Sequence, residues 1–403
     1  MTSAVEDVMW NRTLELLAAD GTTSSTHNVT TSSILQNVTG NVSVTDGCHV
    51  VIFEEMEFFP WDNPDNIISA EVEDMTRRVK DRVVLPIMLL IGGPANLINM
   101  AVFYKQGLKE RVNLCLFALS LADELYLIQA MFFFGGDQLP LPFNTKDRFG
   151  PVTRFIANNN LVGLFGFTFV SHILSAIIAS ERCFCVLSPL RSQTLLQTRT
   201  LAIIIIVLHV VVMGLYFFVG SRFRVVCIFD PTSNIMLYTG GTSEFYRNHK
   251  KIFLYLDSFV FGVGIPALVI IVVIITTIIT AMKIRQAALW RAMTSSATTS
   301  SSTSISPREV ALTKMLIGNS VLFIACVFPI ALLRIPWLIL PEMDIGRRNQ
   351  NFFLISQWIK EIFSYFNATF NIFVFYAMGS RYRENFWELF RRHKRDKGKK
   401  SRA

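Results

Sequence analysis

Seven apolar stretches run through the chain, at about 83–104, 112–134, 155–183, 200–220, 252–282, 309–340 and 352–377, with short polar connectors between them. Each reaches the ~20 residues that a helix needs to cross hydrocarbon. Lipid offers no hydrogen bonds, so every backbone group must be satisfied inside such a segment, and a helix does this. The pattern predicts an all-α membrane protein, a seven-transmembrane helix bundle over residues 81–379. Residues 1–80 are polar and acidic, with too few apolar residues in any period to fold alone. They read as a mostly disordered tail.

Beyond the last stretch the period changes. Tyr382, Phe386, Leu389 and Phe390 recur at helical spacing. Residues 380–403 therefore read as an amphipathic helix lying on the bilayer surface, followed by a basic cytosolic tail. Arg391, Arg392, Lys394, Arg395, Lys397, Lys399 and Lys400 suit anionic headgroups. Between the fifth and sixth stretches, Thr294 to Ser306 is almost all Ser and Thr. It is either a plain linker or a set of phosphate acceptors through which arrestin docks.

Composition agrees with the pattern. Hydrophobic residues make up 51% of the chain, and the charges sit between the apolar runs. Met1 to Asp20 hold no continuous apolar core, so the first span is expected to act as the targeting signal. Four glycosylation acceptors, Asn11, Asn28, Asn37 and Asn41, crowd the tail and imply that it is extracellular. A fifth match, Asn367, lies inside an apolar run. Lys105, Lys109, Arg111, Arg191, Arg199, Lys283, Arg285 and Arg291 follow spans one, three and five, which the positive-inside rule places in the cytosol. Arg77, Arg78, Lys80 and Arg82 oppose that orientation but are diluted by Asp74 and Asp81. The expected location is the plasma membrane, amino terminus outside and carboxyl terminus in the cytosol.

The polar residues inside the spans carry the chemistry. Asp123 is a lone carboxylate at mid-membrane depth and must find a partner or a proton. Glu181 and Arg182 end the third stretch, where a charge pair is costly without a partner. Pro266 and Pro329 each remove a helix hydrogen bond, which makes pivots of them. His172 reads as a buried neutral histidine, with proton sensing as the alternative. Metal-ligand spacing and a nucleophile–base arrangement are both missing, so the chain does not read as an enzyme. No feature calls for nucleic acid.

In order and spacing, these residues resemble the rhodopsin-like (class A) G-protein-coupled receptors over residues 83 to 392. The likeness rests on Gly93-Pro-Ala-Asn96, Asn113 to Asp123, Ala179-Ser-Glu-Arg182, Ser188-Pro-Leu190, Pro266, Phe323, Cys326, Pro329, Asn367, Asn371 and Tyr382-Arg383. The resemblance implies an extracellular ligand and a heterotrimeric G protein as partners. It implies coupling through Glu181, Arg182, Pro189 and Leu190, with Glu309 clamping Arg182 in the resting state; two solvated charges are the alternative. It places Ser171, Asn367 and Asn371 with Asp123 around a sodium ion, the one cofactor expected; a hydrogen-bonded cluster without an ion is the alternative. Phe323 joins Pro266 and Pro329 as a pivot.

The chain also departs from that family. Ala157 stands where a cysteine usually starts the outer disulfide, so that bridge cannot form. Cys48 and Cys227 are the cysteines outside the membrane and can pair in an oxidising compartment, whereas Cys115, Cys183, Cys185 and Cys326 are expected to be free. Val327 replaces a tryptophan, and Asn371-Ile-Phe-Val-Phe375 has lost a proline and a tyrosine. Leu164 and Tyr365 argue against amine receptors and opsins, leaving a peptide or a chemosensory small molecule as ligand. The acidic tail either attracts a basic peptide or only solvates itself. Glu181 to Thr200 and Met378 to Arg383 look like gastropod orphan receptors of chemosensory or neuropeptide type. The alternatives to a receptor are a seven-helix ligand-gated channel, a transporter, or a receptor-like scaffold that does not signal.

Overall fold

The computed structural model describes residues 49–52, 62–135, 151–188, 191–192, 197–230, 235–294, 307–340, 342–343 and 347–400. Among these, six helices are long and apolar enough to cross a membrane: Ala70–Gln106, Arg111–Phe134, Leu161–Leu187, Thr198–Gly220, Lys250–Leu289 and Val310–Trp337. A seventh helix, Gln350–Met378, has 29 residues and packs against the first, second and sixth. Lys360 and Glu361 lie in its middle, so it is less apolar than the others. These seven helices are the seven spans of a membrane bundle. A surface helix, Ser380–Lys400, follows.

The bundle buries one apolar seam while it leaves an apolar skin. Val102, Phe103, Leu116, Leu119, Val170, Leu174 and Phe375 form the main core between spans one, two, three and seven. Span four instead exposes Ile206, Val207, Val210 and Val211. Water would penalise that skin, whereas lipid does not. Backbones approach closely where side chains are smallest. A Cβ on Gly163 would stand 2.6 Å from the Phe217 Cα, and one on Gly220 would stand 2.7 Å from the Gly163 nitrogen. This glycine contact seats the start of span three against the end of span four.

The starts of spans one and three, the end of span five, which runs on as helix to Thr294, and one loop differ from the sequence expectation. Span one starts at Ala70, inside the stretch 1–80 that reads as a tail. Ser69 caps it by accepting from the Val72 amide, and Glu71 and Glu73 occupy its acidic first turn. The helix passes through a π turn, Lys80–Val84, before the apolar segment Leu85–Gln106. Span three is not continuous from 155. Pro151–Asn158 is a separate short helix, and Asn160 takes a left-handed conformation at φ 58° before a 3-10 turn, Leu161–Gly166. Asparagine tolerates that conformation better than most residues. The loop between spans four and five, unassigned in the sequence, folds into strands β2, Phe223–Asp230, and β3, Ile235–Thr242, paired antiparallel. Strand β1, His49–Ile52, adds in parallel to the other edge of β2, with Val50 opposite Cys227. The tail thus joins the sheet that stands on this face of the bundle.

Cys115, Cys183, Cys185 and Cys326 are free, as expected. Cys227 is disulfide-bonded. Cys48 lies outside the described residues, as do Asn11, Asn28, Asn37, Asn41, Pro189, Leu190 and residues 295–306 of the Ser/Thr loop.

Candidate functional site

Asp123 sits midway along span two and is 1% exposed. Ser171 of span three donates to one carboxylate oxygen at 2.6 Å, and Asn371 of span seven donates to the other at 2.8 Å. Both donors are neutral, so the hydrogen bonds stabilise the carboxylate without cancelling its charge. Asn367, one turn before Asn371, is buried but shows no hydrogen bond to Asp123. Structure therefore brings together three of the four residues expected around the ion. As placed, Asn371 offers its amide nitrogen and Ser171 its hydroxyl proton, so the arrangement is a hydrogen-bonded cluster, though carboxylate, hydroxyl and amide oxygens are the hard donor type that sodium takes. Beside this cluster the Asn96 amide donates at 3.0 Å to the Ala368 carbonyl, fastening span one to span seven.

On the face opposite the sheet, Arg182 ends span three. Its guanidinium donates to both oxygens of the adjacent Glu181, at 2.6 and 2.9 Å. Arg111, at the start of span two, also approaches Glu181, at 3.4 Å, and donates to the Ser192 carbonyl. One carboxylate thus holds two arginines, and the Arg182 side chain is 14% exposed. A small cleft beside it is lined by Thr277, Thr280, Thr313 and Ser320 of spans five and six. Glu309 belongs to the sixth helix, Pro307–Ile339, but its side chain lies outside the described residues.

Packing links the two sites. Phe323 is buried with Val269, Val273 and Ala176 between spans three, five and six. Its ring meets His172 edge-on at 5.5 Å. Both ring nitrogens of His172 are buried and show no hydrogen-bond partner. Pro266 marks where the π helix Leu254–Gly264 gives way to an α-helix, and Pro329 lies inside the sixth helix. The surface helix is fastened by Tyr382, whose hydroxyl donates to Asn99 of span one. Burial pushes the Tyr382 hydroxyl above its ordinary pKa, so it stays protonated and able to donate. Arg381 adds a two-oxygen grip on Glu110 at 2.7 and 2.9 Å.

The sequence reading missed a charged cluster under the sheet. Lys80 and Asp81 of span one and Lys360 and Glu361 of span seven meet there, with Glu73 nearby. Their signal was present: two adjacent Lys-acid pairs, one in the flank of an apolar run and one inside another.

The family described as serpentine type 7TM GPCR chemoreceptor Srw matches residues 155–393, more than half of the chain. No curated protein matches. The matched residues run from the short helix before span three into the surface helix, and they include Arg182, Phe323, Asn371 and Tyr382. The chain belongs to the serpentine seven-transmembrane GPCR chemoreceptor family Srw.

Proposed function

We propose that the protein passes an extracellular chemosensory or peptide signal to a heterotrimeric G protein by parting of spans three and six. Membership of the family carries the coarser statement, a membrane receptor that couples an outside ligand to a G protein and is not an enzyme. One observation supports the finer reading. Arg182 is held by its own neighbour Glu181 beside a cleft walled by spans five and six. Movement of span six would widen that cleft and let the guanidinium exchange Glu181 for the G protein. A ligand drives this only as far as it binds the open form better.

Other parts follow from that reading. Glu309 clamps Arg182 at rest. Pro189 and Leu190 extend the docking surface, and the loop from Thr294 to Ser306 takes phosphate and then arrestin. Asp123, Ser171, Asn367 and Asn371 hold a sodium ion in the resting state, where it would neutralise the buried carboxylate. Glycans on Asn11, Asn28, Asn37 and Asn41 keep the tail outside at the plasma membrane, and Cys48 pairs with Cys227. The gastropod likeness adds no residue to this account.

The test is a heterologous signalling assay of the wild type and Arg182→Ala, both shown to reach the cell surface. Wild type is expected to respond to a peptide and odorant panel, and Arg182→Ala to lose most of that response. Undiminished responses of Arg182→Ala with every transducer would overturn the coupling role. A wild type that reaches the surface and never signals would favour the receptor-like scaffold.

A further inference from the structure

Lys80 is fully buried. Its ammonium lies 3.5 Å from the centre of the Phe134 ring and 4.8 Å from that of Trp358, both within the ~6 Å reach of a cation–π contact. Asp81 pairs with it directly. The π turn that begins at Lys80 is wider than an α turn, and both of these consecutive side chains are buried on the bundle side. Span seven supplies the remaining wall. Glu361 accepts from Tyr126 at 2.6 Å and pairs with Lys360 at 2.8 Å. The Trp358 indole donates to Glu73 at 3.0 Å, which fixes the ring over the ammonium. Tyr365 stacks obliquely on Tyr126, centroids 5.9 Å apart, and its fully buried hydroxyl has no hydrogen-bond partner.

Two aromatic faces and the Asp81 carboxylate around one ammonium make up a cation cage, with Glu361 on the adjoining span. Glu73, Asp81 and Glu361 stand among Arg77, Lys80 and Lys360, and withdrawing Lys80 takes from Asp81 its direct partner. Lys80 sits on a four-carbon stem near the sheet-side end of span one and can swing its charge toward water, as lysines at membrane edges do. The Lys360 side chain is 20% exposed.

We infer that this cage is a ligand site for a primary ammonium group, and that Lys80 occupies it as an internal stand-in. An alkylammonium, free or on the side chain of a basic peptide, takes the place between Phe134, Trp358, Asp81 and Glu361 as Lys80 turns out. Its entry would break the tie between span one and spans two and seven. That last consequence rests on the receptor reading; the binding itself does not.

The experiment is chemical rescue of the full-length receptor in lipid nanodiscs, read as melting temperature. Lys80→Ala is expected to melt below the wild type. Propylammonium should raise its melting temperature, whereas propanol, and potassium at equal ionic strength, should not. Lys80→Met keeps the cage filled, and Lys80→Ala/Trp358→Ala removes a wall, so neither should respond. Acetyl-lysinamide run beside propylammonium distinguishes a peptide side chain from a free amine. Should Lys80→Ala not fold, the yield of monodisperse Lys80→Ala receptor purified with propylammonium present throughout, against propanol, carries the test with Asp81 in place. No rise with either ammonium, or an equal rise with propanol, overturns the proposal. A receptor that signals without rescue sinks only the cage; rescue in a silent receptor sinks only the signalling role.

Discussion

Asp123 and Lys80 meet the same difficulty, a charge taken out of water, by different means. Asp123 gathers neutral donors from two other spans, and Lys80 takes an acid and two aromatic rings. A carboxylate bonded only by neutral groups still favours a counter-ion. The wild type should therefore melt higher in sodium chloride than in potassium chloride at equal ionic strength, and Asp123→Asn should melt alike in both. Equal melting of the wild type in the two salts would mean a bonded cluster with no ion. Asp123 was legible in the sequence because it stands alone in an apolar run. Ser171 and Asn371 became legible only through the family resemblance, since nothing in their local pattern says which helix they face. Lys80 was hidden because its neighbours Arg77, Arg78 and Arg82 made it look like ordinary flanking charge.

Elements were read from hydropathy almost to their ends where the membrane alone decides them. Span four, expected at 200–220, is Thr198–Gly220. Hydropathy failed where something other than lipid sets the edge. Span one runs outward to Ala70 because Glu73, Lys80 and Asp81 find partners on span seven and in each other, and span three breaks at Asn160 because the turn there seats it on span four. The sheet was missed because a short hairpin in a loop has no hydropathy signature. The junction of spans three and four gives a test at this scale. Gly163→Ala forces a Cβ into the Phe217 backbone and should destabilise by about 1–3 kcal/mol. Gly214→Ala meets nothing within 4 Å and should be neutral or stabilising by up to ~1 kcal/mol. Thermal melting of the two variants side by side checks this; equal losses would mean that the helices do not touch through these glycines.

At the scale of the molecule, polar groups are strung along the bundle from a charged cage under the sheet, through Asp123, to Arg182 at the far face. Between them the ring contact of His172 with Phe323 links span three to span six. The seven-helix architecture needed only hydropathy, and the family match agrees with it. The movement assigned to spans three and six is measured most directly by spin labels on noncanonical residues at Leu187 and Lys314, both exposed near the Arg182 end. Their separation should lengthen when the G protein binds. A distance distribution that does not change in a G-protein complex shown to have formed would contradict the account.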